Sequence, residues 1–376
     1  MKKNALFLSN EIYFDASKNE GGVKVCSEEY LNLIRELYSV TLFIVKNRDS
    51  IIYRVLVKLG LNVYNDYITE RYILSLGEVI KNNKIEIVFL NLSNTAPFAQ
   101  SIKQSIGSHI QIIICSHGNE SGDFLHVNTR FRFHIPFYRL FFSNFVLGKM
   151  LVLEALSRQK YIDAVLTVSD IEVAIEKWVG AKNVYLVPRT ISINNLEHKP
   201  RLGRVGFLGD LSHAPNFYGI SKVCEELNRM PDIMNFEVIL VGSSPLYGSQ
   251  LANRYPFVKY MGYMHNTELE LEVSTWAFFL NPVFYYSRGV STKLAKALSW
   301  GIPVLSTSIG CRGYKWRSGS IILAETPLEM ATSIYNLAFD SKEIKTAQVE
   351  IMNLANSTLS IKDIASDISQ FLKKIR

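Results

Sequence analysis

Residues 281–305, NPVFYYSRGVSTKLAKALSWGIPVL, carry the most informative pattern in the chain. The apolar run Ala277–Leu280 leads into this stretch, which reads as a strand end, a glycine-containing loop, a helix capped by Ser291, a stop at Gly301 and a strand led by Pro303. Arg288, Lys293 and the helix start at Ser291 concentrate positive potential where a diphosphate would sit. Gly289, Val290 and Lys296 complete this candidate anion-binding set. Lys293 and Lys296 remain open to the plainer reading of lysines on a solvated helix face.

The same alternation of short apolar runs and helical periods extends in both directions. Ala5–Leu8, Thr41–Val45, Ile85–Leu90, Ile110–Cys115 and Ala164–Val168 read as strands in the first half. Val205–Leu208, Phe236–Val241, Phe257–Met261, Pro303–Ser306 and Ser320–Leu323 join Ala277–Leu280 in the second. Strands that are apolar throughout and alternate with helices predict parallel sheets buried on both faces. The fold class expected is α/β, with two Rossmann-like, doubly wound domains. The polar stretch 192–201 interrupts the pattern, so residues 1–190 form a first domain, a linker lies near 190–203, and residues 204–355 form a second. Residues 356–376 are expected to form a terminal helix that must dock somewhere, since Ile361, Ile364, Ile368, Phe371, Leu372 and Ile375 share one face.

A length of 376 residues with 48% hydrophobic content suits two cores. The formal net charge of +7 points to anionic partners: phosphate-bearing ligands or an acidic membrane surface. The bases are scattered and no nucleic-acid-binding signature is present, so nucleic acid is not an expected partner. Cys26, Cys115, Cys224 and Cys311 lie far apart, with no zinc or redox spacing, which predicts a reducing cytoplasmic setting. Ala5–Leu8 is too short for a signal peptide. Residues 133–153 contain Pro136, Arg139, Asn144 and Lys149, which argues against a spanning helix.

Ligands of open parallel sheets sit beyond the carboxyl ends of the strands, and two more places qualify on that rule. Gly21-Gly22 opens the helix after the first strand, where backbone can approach a phosphate closely, although a plain turn accounts for the pair equally well. Ser116-His117-Gly118-Asn119-Glu120, with Asp123 close behind, ends the Ile110–Cys115 strand. His117 there either bonds a sugar hydroxyl or moves a proton, or is a structural histidine satisfied by a neighbouring loop.

The 281–305 pattern resembles the signature of the large family of retaining glycosyltransferases with the GT-B fold, the bacterial glycosyl transferases group 1. Further ordered matches are Asp163–Ser169, Leu186–Thr190, Val205–Gly209, Leu211–Asn216, Val238–Gly242 and Val258–Tyr263. The resemblance implies two domains facing a cleft, a terminal helix crossing back to the first domain, an acceptor-side first domain and a nucleotide-sugar second domain. It places the donor base near Tyr263, the diphosphate near Lys293 and Ser291, and His117 near the transferred sugar as an orienting group, with Asn119, Glu120 and Asp123 on the acceptor side. It also implies a nucleotide sugar as co-substrate with no further cofactor. Two positions where the family carries Glu are Arg288 and Lys296 here, and an Arg of many members is Asp210. A Lys accepts no hydrogen bonds from ribose hydroxyls.

No Asp-x-Asp motif is present, so a metal-independent transfer is expected, with positive side chains neutralising the leaving group. The acceptor class stays open among saccharide, lipid-linked and protein acceptors of bacterial surface-glycan or glycoconjugate synthesis. Residues 124–149 mix Phe124, Phe131, Phe133, Phe137, Phe141 and Phe145 with Arg132, Arg139 and Lys149. They read either as a peripheral contact with an anionic membrane at its inner face or as a buried amphipathic segment. Two rival readings are a catalytically silent glycosyltransferase-like partner and a nucleotide-sugar epimerase.

Overall fold

Each apolar run named above forms a strand, because a strand apolar on both alternating faces is stable only where water is excluded from both. The computed structural model describes residues 2–14, 22–130 and 137–375. It divides into two compact units, one of residues 1–188 with 360–376 and one of residues 189–359.

The first unit holds β1 (Asn4–Asn10), β2 (Ser39–Val45), β3 (Ile87–Asn91), β4 (Gln111–Cys115), β5 (Ala164–Thr167) and β6 (Val184–Leu186), paired in parallel in the order β2-β1-β3-β4-β5-β6. Leu6, Leu8, Val88, Leu90, Ile112 and Ile114 belong to one core cluster. The residues between them, Phe7, Phe89 and Ile113, are fully buried as well, so both faces of the sheet are covered. The helix Ile361–Lys374 carries a capping box at Ser360 and Asp363 and packs on the helix Gly22–Leu37. It buries Ile364, Ala365, Ile368 and Leu372, and Phe371 meets Tyr185 at 5.2 Å between ring centroids.

The second unit holds β7 (Arg201–Leu208), β8 (Glu237–Val241), β9 (Val258–Gly262), β10 (Trp276–Asn281), β11 (Val304–Ser306) and β12 (Ile322–Leu323), parallel in the order β12-β11-β10-β7-β8-β9. Val238 and Leu240 face one core, while Ile239 and Val241 face another. Residues 190–203, read above as a linker, are bound to this unit instead. Asn194 and Leu196 donate backbone hydrogen bonds to Ser299 and Trp300, and Lys199 and Arg201 donate to Ser274 and Thr275. A polar sequence with no periodicity hides such a strap, because its partners are distant backbone carbonyls rather than its own neighbours.

Both sheets contain a point where strand order reverses. In the first unit it lies between β1 and β3, and in the second between β7 and β10. At such a point adjacent loops leave in opposite directions and open a crevice at the carboxyl ends of the strands. Those two crevices are where the polar residues collect.

Candidate functional site

In the second unit the site begins with Asn281, the last residue of β10. Its Nδ2 donates to Ser306 Oγ (2.9 Å) and to the carbonyl of Gly310 (3.1 Å), while its Oδ1 accepts from Ser291 Oγ (2.9 Å). Ser291 is the N-cap of the helix Thr292–Trp300 and accepts from the Leu294 amide at 3.3 Å, and Tyr314 Oη donates to its carbonyl. The helix stops at Gly301, whose φ of 68° is the left-handed geometry that the sequence pattern demanded. This start is therefore fixed from three sides, with the first-turn amides of Thr292 and Lys293 carrying the positive end of the helix dipole.

Lys293 projects from that first turn toward the end of β7. Its ammonium lies 5.0 Å from the Phe207 ring centroid and donates to Asn216 Oδ1, and Asn216 Nδ2 in turn donates to the Asp210 carbonyl (2.8 Å). The side chain as a whole is half-buried, but desolvation at the enclosed Nζ, with the nearby Arg312 guanidinium adding repulsion, pushes the Lys293 pKa down to about 7. Arg312 is buried and donates to the carbonyls of Ile309 and Ser287, which ties the loop after β11 to the loop after β10. Two cations are thus held close together at the carboxyl ends of β7, β10 and β11. Such an arrangement is suited to receive an anion.

Asp210, at the end of β7, is committed elsewhere. Burial alone would raise its pKa, yet hydrogen bonds from Ser244 Oγ (2.6 Å) and from the amide and Oγ of Ser212 (both 2.8 Å) hold it below the usual carboxylate range. At Gly242 a Cβ would stand 2.0 Å from the carbonyl oxygen of Gly209, so the loops after β7 and β8 touch through backbone alone.

The other expected donor residues fall around this centre. Gly289 has φ 74° and is buried, and Val290 is half-buried against the core beneath the helix. Arg288 is exposed. Lys296 is also exposed, and its Nζ lies 5.8 Å from the Trp300 ring centroid, toward the carboxyl end of the helix rather than its start. Tyr263 follows β9, is 71% exposed and sets its ring edge against His265 at 5.6 Å.

In the first unit the crevice centres on Asn91, the last residue of β3. Its Nδ2 donates to Ser9 Oγ (2.8 Å) at the end of β1 and to Ser27 Oγ (2.9 Å) on the helix opened by Gly22. Its Oδ1 faces His117 Nε2 at 2.8 Å. Since the amide nitrogen is engaged with two hydroxyls, the imidazole Nε2 must be the donor to Asn91 Oδ1. Tyr30 flanks the imidazole at 5.5 Å between ring centroids and donates to the carbonyls of Ser116 and Leu166. Gly21 lies outside the described residues.

Asn119 is buried and caps the helix Glu120–Arg130, accepting from Ser121 Oγ (3.0 Å) and the Gly122 amide (2.6 Å). Glu120 and Asp123, both half-buried, lie in the first turn of that helix. Behind them Glu154, fully buried on the helix Ser143–Lys160, accepts from the Ser121 amide (3.1 Å), Ser121 Oγ (2.6 Å), Asn119 Nδ2 (3.3 Å) and Tyr64 Oη. Burial first, and Glu154 next, push the Tyr64 phenol well up, so it remains a donor. One turn on, Arg158 is buried against Glu176 at 2.9 Å and donates to Ser93 Oγ (2.9 Å). Among the described residues no cluster of three or more His, Cys, Asp or Glu is placed to hold a metal ion.

Sequence reasoning missed Asn91, Arg312 and the buried pair Arg158–Glu176. Asn91 left a usable sign: a polar residue that closes a wholly apolar strand. Arg312 left only its place in a loop after a strand, and the buried pair is spaced like surface charge.

Residues 203–340 match a protein-family model described as glycosyl transferases group 1. No curated protein gives a significant sequence match. Among solved structures, HepE of Anabaena, determined with UDP and glucose, superposes with a TM-score of 0.64 at 15% identity, covering 99% of this chain and 100% of that one. Sucrose-phosphate synthase of Thermosynechococcus elongatus gives 0.67 at 14% identity, covering 100% and 99%. The lipopolysaccharide outer core galactosyltransferase WaaB gives 0.60 at 14%, covering 98% and 99%. At these identities the likeness establishes the fold, and the family match is confined to residues 203–340. Residues 203–340 thus carry the likeness to glycosyl transferases group 1, and the chain has the two-sheet α/β architecture of GT-B proteins.

Proposed function

We propose that this chain transfers a sugar from a nucleoside diphosphate sugar to a hydroxyl acceptor, with retention and without a metal. The observation that carries the reading is the cationic centre of Lys293, Arg312 and the Ser291-capped helix start, within the residues that match the family. The donor diphosphate lies on that centre and its base near Tyr263. The bond between the anomeric carbon and the β-phosphate oxygen breaks as positive groups take up the charge on the leaving diphosphate. The acceptor hydroxyl forms its bond on the same face, and its proton passes to the departing phosphate oxygen. His117 orients the sugar, and Asn119, Glu120 and Asp123 border the acceptor. The acceptor belongs to bacterial surface-glycan or glycoconjugate synthesis on the cytoplasmic side.

A panel of nucleoside diphosphates and nucleotide sugars, led by UDP and UDP-glucose, tests the reading by thermal shift, since a ligand that binds only the folded chain raises its Tm. At least one member should raise Tm, and Lys293→Ala should abolish the rise. A panel that shifts nothing would sink the donor site. A second reading, a partner subunit without catalysis, is favoured by Arg288 and Lys296 standing where the family carries Glu. Donor binding with no hydrolysis or transfer by the purified chain would select it.

A further inference from the structure

The first unit exposes large apolar side chains on three helices that its own core leaves uncovered. The helix Ile51–Leu59 buries no residue, and Ile51 is 81% and Ile52 74% exposed. On the short helix Phe137–Phe141, Phe137 is 81% and Phe141 76% exposed, and Phe145 at the start of the next helix is 68% exposed. These helices adjoin: Arg139 Nε and Nη2 donate to the Lys58 carbonyl at 3.0 and 2.8 Å. Isolated exposed apolar residues are ordinary, but aromatic and branched side chains concentrated on neighbouring helices mark an interaction surface.

Charge decides what covers it. The helices Ile51–Leu59, Phe137–Phe141 and Ser143–Lys160 contain one acidic residue, Glu154, which is fully buried. Their exposed charges are all basic, Arg54, Lys58, Arg139, Lys149 and Lys160, and of these Arg54 is ion-paired with the exposed Asp49 that precedes its helix. Apolar side chains set among exposed bases, without exposed acid on the same helices, fit an anionic lipid surface, where rings enter the headgroup boundary and bases meet phosphate. No described helix is long and apolar enough to cross a membrane, so contact would be made from one side.

We propose that this face of the first unit docks on an anionic bilayer, with Phe137, Phe141 and Phe145 entering the headgroup layer and the helix Ile51–Leu59 lying beside them. The sequence had pointed only to residues 124–149, of which Phe131, Arg132 and Phe133 lie outside the described residues. The contribution of Ile51 and Ile52 comes from the fold. The surface is independent of the donor site, so docking is measurable whether or not the transfer reaction is found.

The test is flotation of the full chain with vesicles of phosphatidylcholine alone or with about a third phosphatidylglycerol, at low and high salt. The wild type should float with the anionic vesicles at least about tenfold more than with the neutral ones, and high salt should weaken it. Phe141→Glu with Phe145→Glu, and separately Ile51→Glu with Ile52→Glu, should each lower flotation about tenfold while leaving Tm and far-ultraviolet circular dichroism unchanged. Lys58→Glu with Lys149→Glu should remove the preference for anionic lipid. Flotation indifferent to lipid charge, or unchanged in both apolar pairs, overturns the proposal. So does a wild type that self-associates in light scattering, ignores vesicles and becomes monomeric in Phe141→Glu, because the face would then cover a second copy.

Discussion

At the carboxyl ends of β7 and β10, Lys293 and Arg312 repel one another, and the Lys293 ammonium is held in a setting that disfavours its charge. At the corresponding ends of β1 and β3, Asn91, Ser9, Ser27 and His117 answer donor with acceptor in a hydrogen-bonded network. The crevice of the second unit therefore stores an electrostatic cost that the proposed diphosphate would remove on binding, while that of the first unit stores geometry. Topology alone does not separate them, since both lie at a switch point of a parallel sheet. On the proposed function, binding and orientation can be broken one at a time.

The largest effect is expected behind the crevice of the first unit. Arg158→Met should leave Glu176 buried without its partner and destabilise the first unit by about 3–5 kcal/mol, read as a fall in Tm or in the denaturant midpoint. A loss under about 1 kcal/mol would mean that water reaches Glu176 and that the network is less rigid than its geometry suggests. Next comes Lys293→Ala, which should weaken nucleoside diphosphate binding by about 2–3 kcal/mol, roughly 30- to 150-fold, by calorimetry, with the stability of the free protein preserved or improved. Unchanged affinity would remove Lys293 from the site.

His117→Ala sharpens the contrast from the other side. Turnover should fall by about 10- to 100-fold, or 1.4–2.7 kcal/mol, while diphosphate affinity stays at the wild-type value. A parallel loss of affinity and turnover would overturn the orienting role proposed for His117.

Smaller still is the pH effect at Lys293. Its folded pKa, about 7, lies below the usual lysine value, so between that pH and about 10.5 the unfolded chain holds more protons than the folded one. Stability should therefore rise with pH across that window in the wild type relative to Lys293→Met. Bound diphosphate should restore the ammonium and draw up a fraction of a proton near pH 7.5. Calorimetry in buffers of different ionisation enthalpy measures that uptake, and the variant should show none from this residue.

The finest probe is Asn91→Asp, which places a carboxylate on His117 Nε2. The imidazole resonance of His117, assigned by its absence in His117→Gln, should then titrate at higher pH. Nitrogen chemical shifts of the wild type should show the Nε2–H tautomer, and an Nδ1–H signature would reverse the assignment.

Periodicity and punctuation in the sequence sufficed for the strands, the Ser291 cap, the Gly301 stop and the placing of Lys293 in a first helical turn. These depend on neighbours within a few residues, where local backbone preference and apolar spacing act directly. Arg312 was illegible for the opposite reason. It joins Lys293 only because β11 lies beside β10, and nothing in the eighteen intervening positions encodes that distance. Arg158 and Glu154 sit among helix residues of ordinary polarity, and only packing removes them from water. The segment 190–203 shows the same limit, since its hydrogen-bond partners are carbonyls far along the chain. What the sequence determined by itself was the class of fold, its elements and one charged helix start, all consequences of short-range stereochemistry. Which polar residues meet at each switch point, which charges lie in low dielectric and which apolar faces stay uncovered were decided by long-range packing, because burial and proximity are properties of the assembled sheet.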